Sequence, residues 1–110
     1  MENATDWVFK ALADASRRKL LDRLHTDNGQ TLGRLCEGLK MTRQAVSKHL
    51  AVLEAANLVT TVKVGREKIH YLNPAPIGEI YHRWIGKYER RRVEAMNDLK
   101  NRLEDEDEQT

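Results

Sequence analysis

The apolar residues in the first quarter of the chain recur at helical spacing. One run predicts a helix over residues 5–12, and a leucine-rich run predicts a second helix over about residues 16–26. Between them, Asp14 or Ser16 can accept hydrogen bonds from the free N–H groups at the start of the second helix. The pattern therefore predicts two helices joined by a short turn.

A shorter helix and a longer helix are predicted next. Thr31 suits the N-cap of a helix that continues to residue 39, and residues 40–42 are short enough to form a tight turn. Thr42 then caps a fourth helix that runs to about residue 55. Its buried stripe consists of residues spaced by four and three positions, namely Val46, Leu50 and Leu53.

After residue 57 the period changes from helical to alternating. Residues 58–64 and 68–72 are rich in β-branched residues and flank the turn 65–67, which predicts a β-hairpin with a basic tip. An apolar stripe then predicts one long helix over about residues 76–104. The acidic residues that follow predict a disordered tail at 105–110, because like charges repel one another.

This order of elements predicts one domain over residues 1–104, mainly α with a small β-hairpin. A short helix, a turn and a second helix with a polar outer face form a helix-turn-helix, and the hairpin makes it a winged one. The fourth helix fits the major groove of duplex DNA. Because its inner face is apolar, base reading is expected from Arg43, Gln44, Ser47 and Lys48.

Other residues complete the predicted DNA surface. Thr42 begins the recognition helix, and His49 is expected to orient that helix or to touch a phosphate. The hairpin contributes Lys63, Arg66 and Lys68. The charge distribution favours this interpretation, because residues 16–70 hold 11 Lys and Arg against 5 Asp and Glu within a chain of net charge +2.

Composition excludes several classes of protein. No apolar run approaches the roughly 18 residues that would span a bilayer, and the one cysteine, Cys36, cannot form an internal disulfide. No Gly-rich phosphate loop, nucleophile elbow or carboxylate pair indicates an enzyme. We therefore expect a cytoplasmic, nucleoid-associated protein without a cofactor.

Three segments resemble the ArsR/SmtB-type repressors. They are residues 9–21 (FKALADASRRKLL), residues 42–50 (TRQAVSKHL) and residues 65–72 (GREKIHYL), and the resemblance covers roughly residues 7–88. It implies a winged-helix homodimer that represses transcription by occupying an inverted repeat in operator DNA. Ala15 departs from the family, which usually has proline there.

The resemblance raises the question of a metal sensor, for which several ligands must converge on one ion. Family members with a site before the recognition helix carry a cysteine cluster there, whereas this chain offers only Cys36. A second familiar site uses residues of the terminal helices, for which the candidates here are Glu79, His82 and Glu89, with no later histidine. The chain is therefore expected to belong to the metal-independent branch, with no predicted inducer.

Large apolar residues near both ends of the chain predict a dimer interface. They are Trp7, Ile77, Ile80, Tyr81, Trp84 and Tyr88. In a two-fold dimer, the recognition helices would address half-sites one helical turn apart, roughly 10 bp, or a multiple of that spacing. The alternative is that these residues close the core of the monomer.

Two other functions remain open from the sequence. The winged helix could serve as a protein-interaction or dimerisation module without DNA binding, although Arg43 and Lys48 argue against it. It could also be a non-classical metal or redox sensor that uses Cys36. The favoured interpretation of the sequence is a repressor that lacks the family's metal sites.

Overall fold

A computed structural model of the chain describes residues 3–108, with side chains described to residue 106. The chain divides into two compact units, Met1–Ile77 and Gly78–Thr110. The first unit contains, in order, α1 (Ala4–Leu12), α2 (Ala15–Thr26), α3 (Leu32–Cys36), α4 (Arg43–Ala55), β1 (Val59–Val64) and β2 (Glu67–Leu72). Helix α5 (Ala75–Ile80) leads to a π-helical segment (Tyr81–Gly86) and to α6 (Lys87–Glu108).

The helices of the first unit begin where capping side chains predict. Asp14 Oδ1 accepts from the backbone N–H groups of Ser16 (2.8 Å) and Arg17 (3.1 Å), so Asp14 rather than Ser16 is the cap of α2. Thr31 and Thr42 cap α3 and α4, as predicted. Each of these bonds satisfies an N–H group that has no partner within its helix.

Helix α3 is shorter than the sequence predicts. It ends at Cys36 rather than residue 39, because Glu37 is extended (ψ 127°) and Gly38 takes a left-handed conformation (φ +73°). Glycine adopts this conformation without a steric penalty and so terminates helices. The connection to α4 therefore spans residues 37–42 rather than a three-residue turn.

Helix α4 has the predicted bounds, and its inner face packs into the core. Val46, Leu50 and Leu53 are at most 2% exposed, and Asn57 ends the helix with a left-handed φ of +63°. The other fully buried large side chains of the core are Leu20, Leu24, Leu35 and Leu58. Helices α2, α3 and α4 therefore share one leucine-rich core.

Strands β1 and β2 form an antiparallel hairpin in which Val59 pairs with Leu72 and Val64 with Glu67. Glu67 thus belongs to β2 rather than to the turn, contrary to the sequence interpretation. The two-residue turn has Gly65 at its first position with φ +62°, which is the conformation of a type II′ hairpin turn. Arg66, the second turn residue, is exposed at the tip.

A bridge between Gln30 and β2 holds the base of the hairpin against the α2–α3 turn. The backbones of Gln30 and His70 exchange two hydrogen bonds (3.0 and 2.8 Å), and the His70 ring donates from Nδ1 to the Gln30 carbonyl (3.0 Å). Gln30 Nε2 in turn donates to the carbonyls of Arg23 and Asp27. Both side chains are buried, so each polar group there needs such a partner.

The second unit differs from the predicted uninterrupted helix. A π-helical segment interrupts it, and buried Gly86 ends that segment; a Cβ added at Gly86 would make an ordinary contact with Tyr81, at 3.6 Å. Helix α6 continues to Glu108, so residues 105–108 are helical rather than disordered, which agrees with the good helix propensity of glutamate. Residues 109–110 lie outside the described part. Within residues 3–108, no helix is both long and apolar enough to cross a membrane.

Candidate nucleic-acid interface

The outer face of α4 is polar and open. Because Val46, Leu50 and Leu53 turn inward, the four predicted base-reading residues are all exposed, namely Arg43, Gln44, Ser47 and Lys48. Thr42 is exposed as well, and its Oγ1 accepts from the Ala45 N–H (3.1 Å). Its hydroxyl is thus used to start the helix. The recognition face therefore carries two cations, an amide and a hydroxyl on a rigid element.

A groove of about 560 Å³ separates this face from the hairpin. It is lined by Arg43 and Ser47 of α4, by Arg66 and Lys68 of the hairpin and by residues 31–33 at the start of α3, and buried His70 contributes to the lining. The structure therefore brings together four residues that the sequence assigns to DNA. Gln44, Lys48 and Lys63 do not line this groove, although all three are exposed.

One acidic residue of the groove, Glu54, changes the role of one predicted contact. Lys68 Nζ lies 3.0 Å from Glu54 Oε1, so the hairpin is tied to the last turn of α4 by an ion pair. Lys63 is the direct cross-strand neighbour of Lys68, and Glu54 offsets the repulsion between them. Lys68 therefore fixes the hairpin relative to the recognition helix, and Arg66 is the more available cation.

His49 lies on the side of α4 that faces α1 and α2. Its Nδ1 is 3.5 Å from Arg17 Nη1, and the same guanidinium donates to the carbonyls of Ala11 and Lys10 (both 2.8 Å). Arg17 thus connects the end of α1 to the recognition helix. His49 is half-buried and stands apart from the exposed base-reading set, so the structure supports its orienting role.

The pKa of Asp14, which caps α2, is lowered in agreement with these contacts. The Arg17 backbone N–H bond is the main cause that lowers the pKa of Asp14 below its usual 3.8, with further lowering from the Ser16 N–H bond and from the charges of His49 and Arg17. Asp14 is therefore held as a carboxylate beside the α1–α2 turn.

The predicted dimer residues are largely uncovered within the chain. Trp7 is 44% exposed, Trp84 52% and Tyr88 64%, while Ile77 and Tyr81 are also exposed and Ile80 is half-buried. Side chains of this size normally bury most of their surface. Much of their apolar surface therefore stays accessible within the chain.

The residues considered as metal ligands can be placed in the structure. Among the described residues, no group of three or more His, Cys, Asp or Glu side chains is placed to hold an ion. Glu89, one of the candidates, accepts a hydrogen bond from the Tyr81 hydroxyl, which is also the main cause that raises the pKa of Tyr81 above 10. Cys36 is half-buried and free of any disulfide.

Sequence reasoning missed Arg17, Gln30, Glu54 and His70 as parts of the site. The long-range contacts of these residues (Glu54–Lys68, Arg17–His49 and Gln30–His70) span 14 to 40 residues along the chain, so no local spacing signals them. The one available clue was that His70 is a polar residue in the otherwise largely apolar run of residues 69–72.

Comparison with known proteins agrees with this geometry. The family model described as a helix-turn-helix domain matches residues 12–62, which run from the end of α1 into β1. The HTH-type transcriptional regulator YuzN of Bacillus subtilis is 40% identical over 91 residues, covering 77% of this chain and 99% of YuzN. The transcriptional repressor SdpR of the same organism is 33% identical over 66 residues, covering 60% of this chain and 72% of SdpR.

A solved structure extends the likeness across most of the fold. The ArsR-like transcriptional regulator from Rhodococcus sp. RHA1 superimposes with a TM-score of 0.67 at 34% identity, covering 87% of this chain and 92% of that one. The predicted winged helix-turn-helix fold is thereby confirmed. The chain belongs to the ArsR family of helix-turn-helix transcriptional regulators.

Proposed function

We propose that this protein is a homodimeric repressor that binds an inverted repeat in operator DNA and acts without a metal ion. In this proposal α4 enters the major groove, where Arg43 and Gln44 read base edges. Ser47 and Lys48 contact bases or phosphates beside them. Lys63 and Arg66 of the hairpin bind the flanking phosphate backbone.

The observation that carries the proposal is the shared groove between α4 and the hairpin. Arg43 of α4 and Arg66 of the hairpin both line it, so a DNA strand lying along it meets cations from both elements. The Lys68–Glu54 pair holds the walls at a set separation. A preorganised groove loses less conformational entropy on binding than two independent elements would.

Dimerisation is supported by the exposed aromatic residues. Trp84 and Tyr88 expose more than half of their surface, and aromatic side chains are the usual anchors of subunit interfaces. We propose that Trp7 and the residues of the 77–88 segment pack against a second chain. The two recognition helices would then address half-sites roughly 34 Å apart, one turn of DNA, or a multiple of that distance.

Repression and metal independence are the finer parts of the proposal. Repression is supported by the similarity to SdpR, whose name describes a transcriptional repressor. Metal independence is supported by the lack of a ligand cluster among the described residues. Such a protein would act beside the chromosome in the cytoplasm.

Selection of duplexes from a random pool, followed by affinity measurements, tests the proposal. We expect one inverted repeat that binds two chains. The double variant Arg43→Ala/Gln44→Ala should lose about 10²-fold or more in affinity for that repeat and little for random DNA, because each bidentate base contact contributes about 1–3 kcal/mol of discrimination.

Arg66→Ala provides the complementary measurement. It should weaken specific and random DNA alike and lower the slope of log affinity against log salt by about 1. Arg102→Ala removes an exposed cation from the second unit and serves as the control, with no expected effect. Undiminished selectivity in the Arg43/Gln44 double variant would show that α4 is not the reader, and failure to bind any duplex would leave an interaction module instead.

A further inference from the structure

The guanidinium of Arg17 lies where α1, α2 and α4 meet. Its Nε donates to the carbonyl of Ala11 and its Nη2 to the carbonyl of Lys10, both at 2.8 Å, so it caps the C-terminal end of α1. The remaining nitrogen, Nη1, lies 3.5 Å from Nδ1 of His49 in α4. One planar side chain of α2 therefore contacts two other helices, and each of its nitrogens has a different partner.

The contact with Arg17 determines which nitrogen of the His49 ring is free of a proton. A guanidinium donates hydrogen bonds, accepts none, and stays protonated in proteins. His49 Nδ1 therefore serves as the acceptor, and the neutral ring carries its proton on Nε2. When the ring takes up a second proton, Nδ1 loses its lone pair and becomes a cationic donor that faces another cation. The contact then changes from attraction to repulsion.

The charged groups around His49 act on its ring in opposite directions. Arg17 repels a protonated ring, whereas Asp14 of the α1–α2 turn attracts it. The pKa of Asp14 is lowered mainly by the Arg17 N–H bond and further by the charge of His49. From α1, the Lys10 ammonium lies 5.9 Å from the centroid of the Trp7 ring. Arg17 is the group in hydrogen-bonding range of His49, so protonation acts directly on the link between α2 and α4.

We propose that Arg17 is a positioning residue for operator recognition, and that its hold on α4 is released when His49 takes up a proton. This inference rests on the proposed function, in which α4 reads bases. His49 directly follows the exposed residues Ser47 and Lys48, so a change in how its ring packs against α2 moves the recognition face. Groups in a binding site must be placed within about 0.5 Å, so recognition responds while the fold stays intact.

Operator selectivity is the appropriate measurement for this inference. We define it as the ratio of the affinity for the selected operator to the affinity for a random duplex of the same length. A protonated His49 adds a positive charge beside DNA and strengthens binding to every sequence alike. That gain cancels in the ratio, whereas a misplaced recognition helix lowers it.

Arg17→Lys and Arg18→Lys form a matched pair of variants. Arg18 also holds the end of α1, because its Nη1 donates to the Leu12 carbonyl (2.6 Å), but that bond does not involve α4. Both changes keep the positive charge and remove the planar fork. Arg17→Lys should lower selectivity about threefold or more at alkaline pH, since contacts within one network couple by amounts of this order. Arg18→Lys should leave it unchanged.

The pH dependence of selectivity tests the role of His49. Between about pH 8 and about pH 5.5, the range in which imidazoles ordinarily titrate, selectivity should fall in the natural protein. His49→Asn should keep the selectivity seen at the higher pH and abolish the fall, because the asparagine Oδ1 replaces Nδ1 as an acceptor and does not titrate. His25→Asn, an exposed change in α2, is the control and should retain the fall.

A double-mutant cycle tests the same contact without DNA. Arg17→Met and His49→Leu each remove one partner, and the bonds from Arg17 to α1 cancel in the coupling between the two variants. Measured by denaturant unfolding, this coupling should be stabilising at about pH 8 and destabilising at about pH 5.5, because the ring then faces Arg17 as a cation. Coupling of the same sign at both pH values would overturn the inference.

The outcomes separate this inference from the proposed function. Selectivity that depends on Arg43 and Gln44 but falls equally in Arg17→Lys and Arg18→Lys retains the proposed function and overturns the role of Arg17. A loss of selectivity at acidic pH that persists in His49→Asn does the same, because it assigns the titrating group to another site. The absence of selective binding to any duplex rejects the proposed function together with the inference that rests on it.

Discussion

The two units of the chain differ in how far their large apolar residues are buried. In the first unit, Leu20, Leu24 and Leu53 are fully buried by neighbouring helices. In the second unit, Trp84, Tyr88 and Leu99 remain at least half exposed. Exposed surfaces of this size cost free energy in water unless they are covered. The first unit thus completes its core with its own residues, whereas the second leaves apolar residues exposed, which the proposed dimer would cover.

The polar contacts of the two units follow the same division. In the first unit they join separate elements, as in the Arg17–His49 and Glu54–Lys68 contacts. In the second unit, the described contacts Tyr81–Glu89 and Lys100–Glu104 join residues that follow one another along the helical run. The first unit is therefore cross-linked in three dimensions, and the second is held mainly by helical hydrogen bonds.

The largest expected difference between the units concerns leucine truncation. Leu53→Ala should lower the free energy of unfolding by about 2–5 kcal/mol, because it removes buried atoms and leaves a cavity. Leu103→Ala, in the exposed face of α6, should change it by no more than about 0.5 kcal/mol. Denaturant unfolding of both variants, at matched protein concentrations, gives the comparison. Equal losses would contradict the division into a closed core and an open face.

Glycine substitutions should separate the units next. Gly29 has φ +85°, and an added Cβ would lie 2.8 Å from the ring of Tyr71, so Gly29→Ala should cost about 2 kcal/mol of stability. Gly78 lies in α5 with open space around its Cα, and Gly78→Ala should stabilise by up to about 1 kcal/mol through helix propensity. Thermal unfolding of both variants measures whether each substitution stabilises or destabilises the protein. A stabilising Gly29→Ala would show that the Tyr71 contact is not tight.

Ion pairs should show a smaller contrast. In a double-mutant cycle, Glu54→Gln and Lys68→Met should couple by about 0.5–1 kcal/mol, since Glu54 is only 27% exposed and the pair is 3.0 Å apart. The Lys100–Glu104 pair of α6 is 4.0 Å apart and more exposed, so its coupling should be about 0.3 kcal/mol or less. A larger coupling energy in α6 would contradict the conclusion that the second unit is held mainly by helical hydrogen bonds.

The smallest expected effects depend on pH, and one of them arises at acidic pH and the other at alkaline pH. Because the pKa of folded Asp14 is lowered, its contribution to stability is present above pH 3.8 and is lost as the pH falls through the lower folded value. Asp14→Asn keeps a capping oxygen and should flatten the loss of stability below that pH. The control is Asp22→Asn, an exposed change within the same helix.

In the second unit, the pH dependence of stability has the opposite sign. The pKa of Tyr81 is raised, so its hydrogen bond to Glu89 contributes below pH 10 and is lost as the pH rises through the higher folded value. Tyr81→Phe should remove the last of the tyrosine transitions seen by ultraviolet absorbance in alkaline titration. Survival of that transition in the variant would assign it to Tyr71 or Tyr88.

Much of the first unit is predictable from the sequence, because its determinants are local. The Thr42 side chain bonds to an N–H three residues ahead, and the stripe Val46–Leu50–Leu53 repeats at the helical period. Such signals act within one or two turns and need no knowledge of the rest of the chain. The end of α3 was mistaken because Gly38, which stops it, lies within an otherwise helical pattern.

The assembly of the site follows from contacts across long stretches of chain. Glu54 and Lys68 are 14 residues apart, Arg17 and His49 are 32 apart, and Gln30 and His70 are 40 apart. Composition and spacing indicate that these residues are polar but not which of them meet, because meeting depends on how the helices pack. The residue types and the caps of α2, α3 and α4 thus follow from the sequence, whereas the packing of α2, α4 and the hairpin decides which polar side chains pair with one another and which stay exposed on α4.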